Sequence, residues 1–274
     1  MAGTSMHRRM LLIAAAAAAF LAFGMPGGSA QPAAATRLHH RLLPVDVHAP
    51  LAQRNADQDS LNWSGYAALP TGGQKVTGVS SSWTVPSAGV VPPGFSSTWT
   101  GIGGYNTGDL IQAGTTQDTL DGYYAWYETL PDTETPIDGC AGDATCTVNP
   151  GDAVKVDISS LGGSQWSIAI ANAGKWTWST TLTYASTFSS AEWIVEAPTL
   201  LVAQTTIAQL GTVHLDQNTF ALDGGTARTI AQGGPVSIRL SLAGLVTEAT
   251  PSGLDGQGDG FNVCTYTSSC PTPS

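Results

Sequence analysis

The chain reads as an all-β protein, an antiparallel sandwich or barrel, on three observations. No stretch beyond residue 60 repeats its apolar residues at a helical period; runs rich in Val, Ile, Thr, Trp and Tyr alternate with polar residues instead. Clusters of Gly, Pro, Asn, Asp and Ser punctuate these runs at short intervals. Many short strands separated by turn chemistry belong to sandwiches and barrels rather than to βαβ units. No internal repeat of fixed period is present.

The elements follow in order. A strand over 76–85 is built on Val76, Val79, Trp83 and Val85 and stops at Pro86. One over 97–104 holds Trp99 and Ile102 and runs into Gly103-Gly104, and one over 109–117 holds Leu110 and Ile111. The run 123–130 is aromatic and ends at Pro131. Runs 153–160 and 165–171 alternate Val154, Val156 and Ile158, then Trp166, Ile168 and Ile170, on either side of Gly162-Gly163. Runs 175–185, 191–196, 212–215 and 236–242 complete the series. Successive side chains of a strand point to opposite faces. Trp176, Trp178, Thr180, Leu182 and Tyr184 therefore share a face. Tyr124, Trp126 and Glu128 share another, opposite Tyr123, Ala125 and Tyr127, and Glu192, Ile194 and Glu196 oppose Trp193 and Val195. Carboxylates and aromatics mixed along single strands suit a sheet with one face in a core and the other lining a cleft.

The first residues address the chain for export. Arg8 and Arg9 precede an apolar run from Leu11 to Met25 that ends in Gly28-Ser29-Ala30, the pattern of a secretory signal peptide over 1–30. Residues 31–55 differ from all that follows, being Ala/Pro-rich and then basic, with Arg37, Arg41 and Arg54. Beyond residue 55, five lysines and arginines stand against nineteen aspartates and glutamates. A basic leader before an acidic domain at 56–274 predicts a propeptide held by charge, acting as the domain's own inhibitor. The acidic domain has little to charge up in acid and should tolerate low pH. Its sign excludes nucleic acid and anionic membranes as partners. The expectation is a secreted, extracellular, monomeric protein. Four cysteines in an exported chain read as local disulfides, Cys140 with Cys146 and Cys264 with Cys270. No metal or other cofactor is called for: the one histidine beyond the leader, His214, is far from either cysteine pair. The glycine-rich stretch around Asp255 and Asp259 reads as a turn rather than a calcium loop.

Elimination narrows the chemistry. A serine or cysteine nucleophile needs a histidine base, and His214 reads as an ordinary strand residue; no Gly-x-Ser-x-Gly elbow and no His-Glu-x-x-His is present. Carboxylate chemistry with an amide helper remains. Glu192 and Glu196 cannot act on one bond together, since i and i+4 on a strand lie roughly 13 Å apart. One of them needs a partner on another strand, and Gln112, Gln117 and Glu128 are the candidates.

At this point the motifs carry a resemblance. Asn62-Trp63-Ser64-Gly65, Thr84-Val85-Pro86-Ser87, Thr98-Trp99-Thr100-Gly101-Ile102-Gly103-Gly104, Leu110-Ile111-Gln112-Ala113-Gly114, Tyr124-Ala125-Trp126-Tyr127-Glu128 and Ala191-Glu192-Trp193-Ile194-Val195-Glu196 occur in that order. Together they resemble the eqolisins, the scytalidopepsin-like glutamic peptidases, in a bacterial-type version. The resemblance implies a concanavalin A-like (jelly-roll) sandwich of two large antiparallel sheets. It also implies an acid endopeptidase made as a zymogen, acting on proteins or peptides. It puts the catalytic glutamine at Gln112 as oxyanion donor and the catalytic glutamate at Glu196 as general base. Trp99, Trp126 and Glu128 fall on positions that bind substrate or support the cleft. Asn62-Trp63-Ser64 fits a glycosylation sequon, but the family pattern makes the Asn-Trp pair structural. Two positions depart: fungal members carry Asp where this chain has Gly103 and Thr116. Two other readings stay open, a jelly-roll glycosidase using Glu128 and Glu196 about 5–5.5 Å apart, and a carbohydrate-binding lectin-like domain.

Overall fold

The structure, a computed structural model, describes residues 40–41, 58–89, 94–119, 122–200, 203–242 and 245–274. The signal peptide expected at 1–30, and the propeptide expected at 31–55 apart from His40 and Arg41, lie outside the described residues. Every described residue belongs to one compact unit, Arg37–Ser274.

The described residues form strands β1 (His40–Arg41), β2 (Gln58–Ser60), β3 (Trp63–Ala68), β4 (Val76–Thr84), β5 (Phe95–Gly103), β6 (Leu110–Asp118), β7 (Tyr123–Thr129), β8 (Thr135–Pro136) and β9 (Ala153–Gly162). They continue with β10 (Gln165–Asn172), β11 (Trp176–Thr183), β12 (Ala191–Glu196), β13 (Thr199–Leu200), β14 (Ala203–Gln204), β15 (Thr212–Leu222), β16 (Ala227–Thr229), β17 (Pro235–Leu242), β18 (Val246–Pro251) and β19 (Phe261–Thr265). A 3₁₀ turn at Ile230–Gly233 is the helical element among them. No helix of the described residues is long and apolar enough to cross a membrane.

One hydrogen-bonded path runs β11-β10-β9-β4-β15-β19-β18-β17-β3-β12-β5-β6-β7-β8. It doubles back through β19, β18 and β17, so that β10, β9, β4 and β15 pack over β12, β5 and β6. The result is an antiparallel β-sandwich, one of the two architectures that the alternation allows and the one that the resemblance implies. Between the layers lie Val79, Val156, Ile158, Ile168 and Phe220 from one side and Ile102, Ala113, Ala125, Trp193 and Val195 from the other. Each large side chain so buried contributes about 1.5–3 kcal/mol. Trp193 meets Phe220 edge-on at 6.2 Å and donates its indole N–H to Ser80 O at 2.9 Å, so the buried ring has no unmet donor.

A second apolar cluster lies on the opposite face of the β3-β12-β5-β6-β7 layer, with Trp63, Trp99, Leu110, Tyr124, Trp126 and Ile194 at its centre. That layer is therefore buried on both faces. Tyr124 and Trp126 point into the second cluster while Tyr123, Ala125 and Tyr127 join the first, as the alternation predicts. The predicted strands appear with their ends moved by a few residues, except that 212–215 extends to Leu222. Strand β3 was not predicted as a strand, because Trp-Ser-Gly-Tyr-Ala-Ala shows no alternation of apolar and polar residues. The cysteines pair locally, Cys140 with Cys146 and Cys264 with Cys270.

Candidate active site

Strands β3, β12, β5, β6 and β7 are consecutive neighbours, and their antiparallel registers line residues up in rows across the sheet. One row runs Ala67, Glu192, Gly101, Gln112, Glu128. The next runs Gly65, Ile194, Trp99, Gly114, Trp126, and the third Trp63, Glu196, Ser97, Thr116, Tyr124. By the period of the strand, all of these belong to the face away from the inter-sheet core.

Glu192 and Gln112 are thus level with each other on strands separated only by β5, about 10 Å apart at Cα. Between them lies Gly101, which has no side chain. Both residues are fully buried. Among the described residues the Oε1 of Gln112 has no hydrogen-bond partner, and neither carboxylate oxygen of Glu192 has one of good geometry, although the Ser190 hydroxyl and the Tyr105 N–H lie near it. The Gln112 amide is oriented from the other side: its Nε2 donates to Glu128 Oε2 at 2.6 Å. Burial pushes the Glu192 carboxyl well above the usual glutamate range. The nearby Ser190 hydroxyl pulls the other way, the Asp109 charge adds to the rise, and the Tyr105 N–H opposes it.

Glu196 is not the residue that faces Gln112. It sits two rows lower, so the two are about 16 Å apart at Cα by strand geometry. Its carboxylate is also engaged: Trp99 Nε1 donates to Oε2 at 2.8 Å and Asn62 Nδ2 to Oε1 at 3.2 Å. The ladder explains the difference. Both glutamates share one face of β12, and only pairing with β5 and β6 says which is level with the glutamine. Spacing within one strand carries no such signal.

The remaining expectations fall as follows. Glu128 and Glu196 are three strands and two rows apart, well beyond the 5–5.5 Å that the glycosidase reading needs. Gln117 points into the inter-sheet core, where it accepts from Thr98 Oγ1 at 3.2 Å and donates to Thr115 O at 2.8 Å. Trp99 braces Glu196 and meets Trp63 edge-on at 4.9 Å. Trp126 lies on the same face, its buried Nε1 without a partner among the described residues. Asn62 is buried and bonded to Glu196, so its role is structural. His214 is exposed on β15 against Asn262 at 3.0 Å.

The departing positions have local replacements. Thr116 shares a 3.2 Å contact with Ser97 beneath Glu196. Beside Gly103 stands Asp109, whose Oδ2 lies 3.0 Å from where a Cβ at 103 would be. Sequence reading did not single out Asp109, whose place beside the site depends on the turn between β5 and β6. Elsewhere, Asp216, Asp255 and Asp259 bring carboxylate oxygens within 4.8 Å of one another. Asp255 spends one oxygen on the N–H groups of Gln257, Gly258 and Asp259, which makes it the organiser of a turn.

The profile of the Peptidase A4 family matches residues 61–256. A comparison with curated protein sequences gives no match. Among solved structures, the chain is similar to scytalido-glutamic peptidase with a transition state analog inhibitor, at TM-score 0.62 and 18% identity over 74% of this chain and 98% of that one. The same peptidase with a peptide-based transition state analog gives 0.60 and 17% over the same shares. SCP-B, a member of the eqolisin family in complex with the tripeptide Ala-Ile-His, gives 0.58 and 16%, again over 74% and 98%. At these identities the likeness is one of fold.

Proposed function

Because the chain belongs to the peptidase A4 family and is a glutamic endopeptidase, we propose that it cleaves proteins with Glu192 and Gln112 as its catalytic pair. The observation that carries this is the row in which the two flank the bare backbone of Gly101. Glu192 thereby takes the role that the sequence resemblance put on Glu196.

In this reading the ionised Glu192 takes a proton from water as the water oxygen attacks the scissile carbonyl carbon. The electron pair moves onto the carbonyl oxygen. Gln112 Nε2 has two N–H bonds, one given to Glu128, and the second donates to that oxyanion. Glu192 then passes its proton to the leaving nitrogen, the C–N bond breaks, and the carboxylate is restored. Glu128 orients Gln112 instead of touching substrate, and Glu196 with Trp99 stiffens the floor below. Trp126 supplies a free indole donor to the bound chain. The base must be ionised, yet burial favours its neutral form. Opening the cleft to water lowers its pKa and so moves activity to lower pH.

We extend the reading to a secreted, acid-active, monomeric enzyme made as a zymogen. Support comes from the signal-type leader, the two disulfides and the shortage of cations beyond residue 55. His40 and Arg41 of the basic leader pair as a strand with Leu200 and Thr199, just past the end of β12. A leader held there by charge loosens as the domain's carboxylates protonate.

The test incubates the precursor and three variants at pH 3.5 with a denatured protein. Self-shortening near Arg54 and digestion are expected for the parent and, at reduced rate, for Glu196→Gln. Glu192→Gln and Gln112→Ala are expected to be inactive with the parent's circular dichroism. If Glu196→Gln is dead and Glu192→Gln works, the pair is wrongly drawn.

A further inference from the structure

Glu192 is not alone at its end of the cleft. The turn between β5 and β6 brings Asp109 against Gly103, and Gly103 N donates to Ser190 O at 3.1 Å, two residues before Glu192. Gly103 leaves the room: a side chain there would collide with Asp109 O at 2.7 Å and with its carboxylate at 3.0 Å. The carboxylate is fixed from outside by the segment that leads into β12. Thr187 N donates to Oδ2 at 2.7 Å, Ser186 Oγ to Oδ2 at 3.1 Å, and Thr187 Oγ1 to Oδ1 at 2.9 Å. Its position is thus set by three donor groups, the Thr187 N–H and the Ser186 and Thr187 hydroxyls, none of which is a cation.

We propose that Asp109 is a positioning residue that sets the protonation of Glu192, so that the acid limit of the peptidase is tuned from the β5–β6 turn. This rests on Glu192 being the base. The other groups around Glu192 do not offer the same control. From β3 the row supplies Ala67 and from β5 Gly101, neither of which titrates. Across the row, Gln112 does not titrate either and stands between Glu192 and Glu128. Glu196, on the same strand, is occupied by Trp99 and Asn62. The turn adds Tyr105, whose hydroxyl burial keeps neutral, and the incoming segment adds the uncharged Ser190. Among the described residues Asp109 is the charge left to act, and a carboxylate there disfavours a second negative charge beside it. The direction found for Glu192, with Asp109 among the groups that raise it, agrees.

The experiment compares pH profiles of kcat/KM for the processed parent enzyme, Asp109→Asn and Asp109→Glu. Asparagine keeps the shape and removes the charge, so the acid limb should move down by about half a pH unit or more, with KM little changed. Glutamate, which keeps the charge, should restore the parental limb in part. A uniform loss of activity with the limb in place would show a structural role only and overturn the proposal. Should Asp109→Asn not fold, a carboxyl ¹³C titration of Glu192 in inactive Gln112→Ala, with and without Asp109→Ser, asks the same question. An unmoved Glu192 titration overturns it. The parent reading fails separately, through an active Glu192→Gln.

Discussion

Gly101 contributes to the site by lacking a side chain. A Cβ there would stand 2.9 Å from Ile111 O and 3.0 Å from Gln112 Cβ, in the gap that water and the scissile carbonyl need. Gly101→Ala should therefore displace Gln112 and lower kcat/KM by at least about tenfold, because a misplacement of about 1 Å is costly in a preorganised site. Circular dichroism should be unchanged. Parental kinetics in that variant would mean the reaction does not take place over residue 101. The residue types of the proposed site were legible in the sequence, since elimination left carboxylate and amide chemistry with Gln112 among the candidates. Which glutamate faces it was not. Glu192 and Glu196 have the same parity on one strand, and their difference is a two-row offset in a ladder with distant segments.

At the scale of elements, the close approach of β3 to β12 supports the row of Glu192 and Gln112. Gly65 adopts φ +148°, and a Cβ there would fall 2.1 Å from Trp193 O, so no side chain fits. Gly65→Ala should cost about 3 kcal/mol or more, the size associated with forcing apart a packed, strained backbone. A chemical denaturation curve measures it; a loss under about 1 kcal/mol would show that β3 can move away freely. The same strand shows why some elements escaped the sequence. Strands whose sequence alternates were predicted nearly in place, including β5, β6 and β12 although both of their faces are buried. Strand β3 is enclosed by two clusters, and its Gly and Ala residues give no period. The turn holding Asp109 was opaque for a related reason, as its partners Ser186 and Thr187 are some 80 positions away.

Over the whole molecule, two opposing sets of carboxyls govern how stability follows pH. Against the burial that raises it, Asp152 is held below the usual range by Lys175, Asn172 and the Asn149 N–H. Asp255 is likewise held low, against burial, by the N–H groups of Gly260, Asp259, Gly258 and Gln257. Stability from these two is complete above the ordinary aspartate value and is lost as pH falls through their depressed ones. Glu192 and Glu248 go the other way, raised by burial. Their cost grows as pH climbs past the ordinary glutamate value, is complete above their raised values, and vanishes in acid. Acid thus removes a penalty as well as a gain, and few cations beyond residue 55 repel one another there. Glu248→Gln can still accept the Ile207 N–H that Glu248 accepts at 3.3 Å. It should raise Tm at pH 7 and leave it unchanged at pH 3. Equal shifts at both pH values would show that ionisation is not the cause.

Composition and alternation were enough for an all-β antiparallel fold, the acidic balance of charge and the local cysteine pairs. These are properties that residues carry with them or share with close neighbours in the chain: charge, β-branching, period and proximity. The pairing of Glu192 with Gln112, the bracing of Glu196 by Trp99 and Asn62, and the arrival of Asp109 beside Gly103 came from the fold. They depend on register between strands far apart in sequence, and a period-2 pattern is unchanged when a strand slides by two residues or four. Only packing of both faces at once selects one register. Here that selection puts Glu192 level with Gln112 and leaves Glu196, four residues on, held by Trp99 and Asn62.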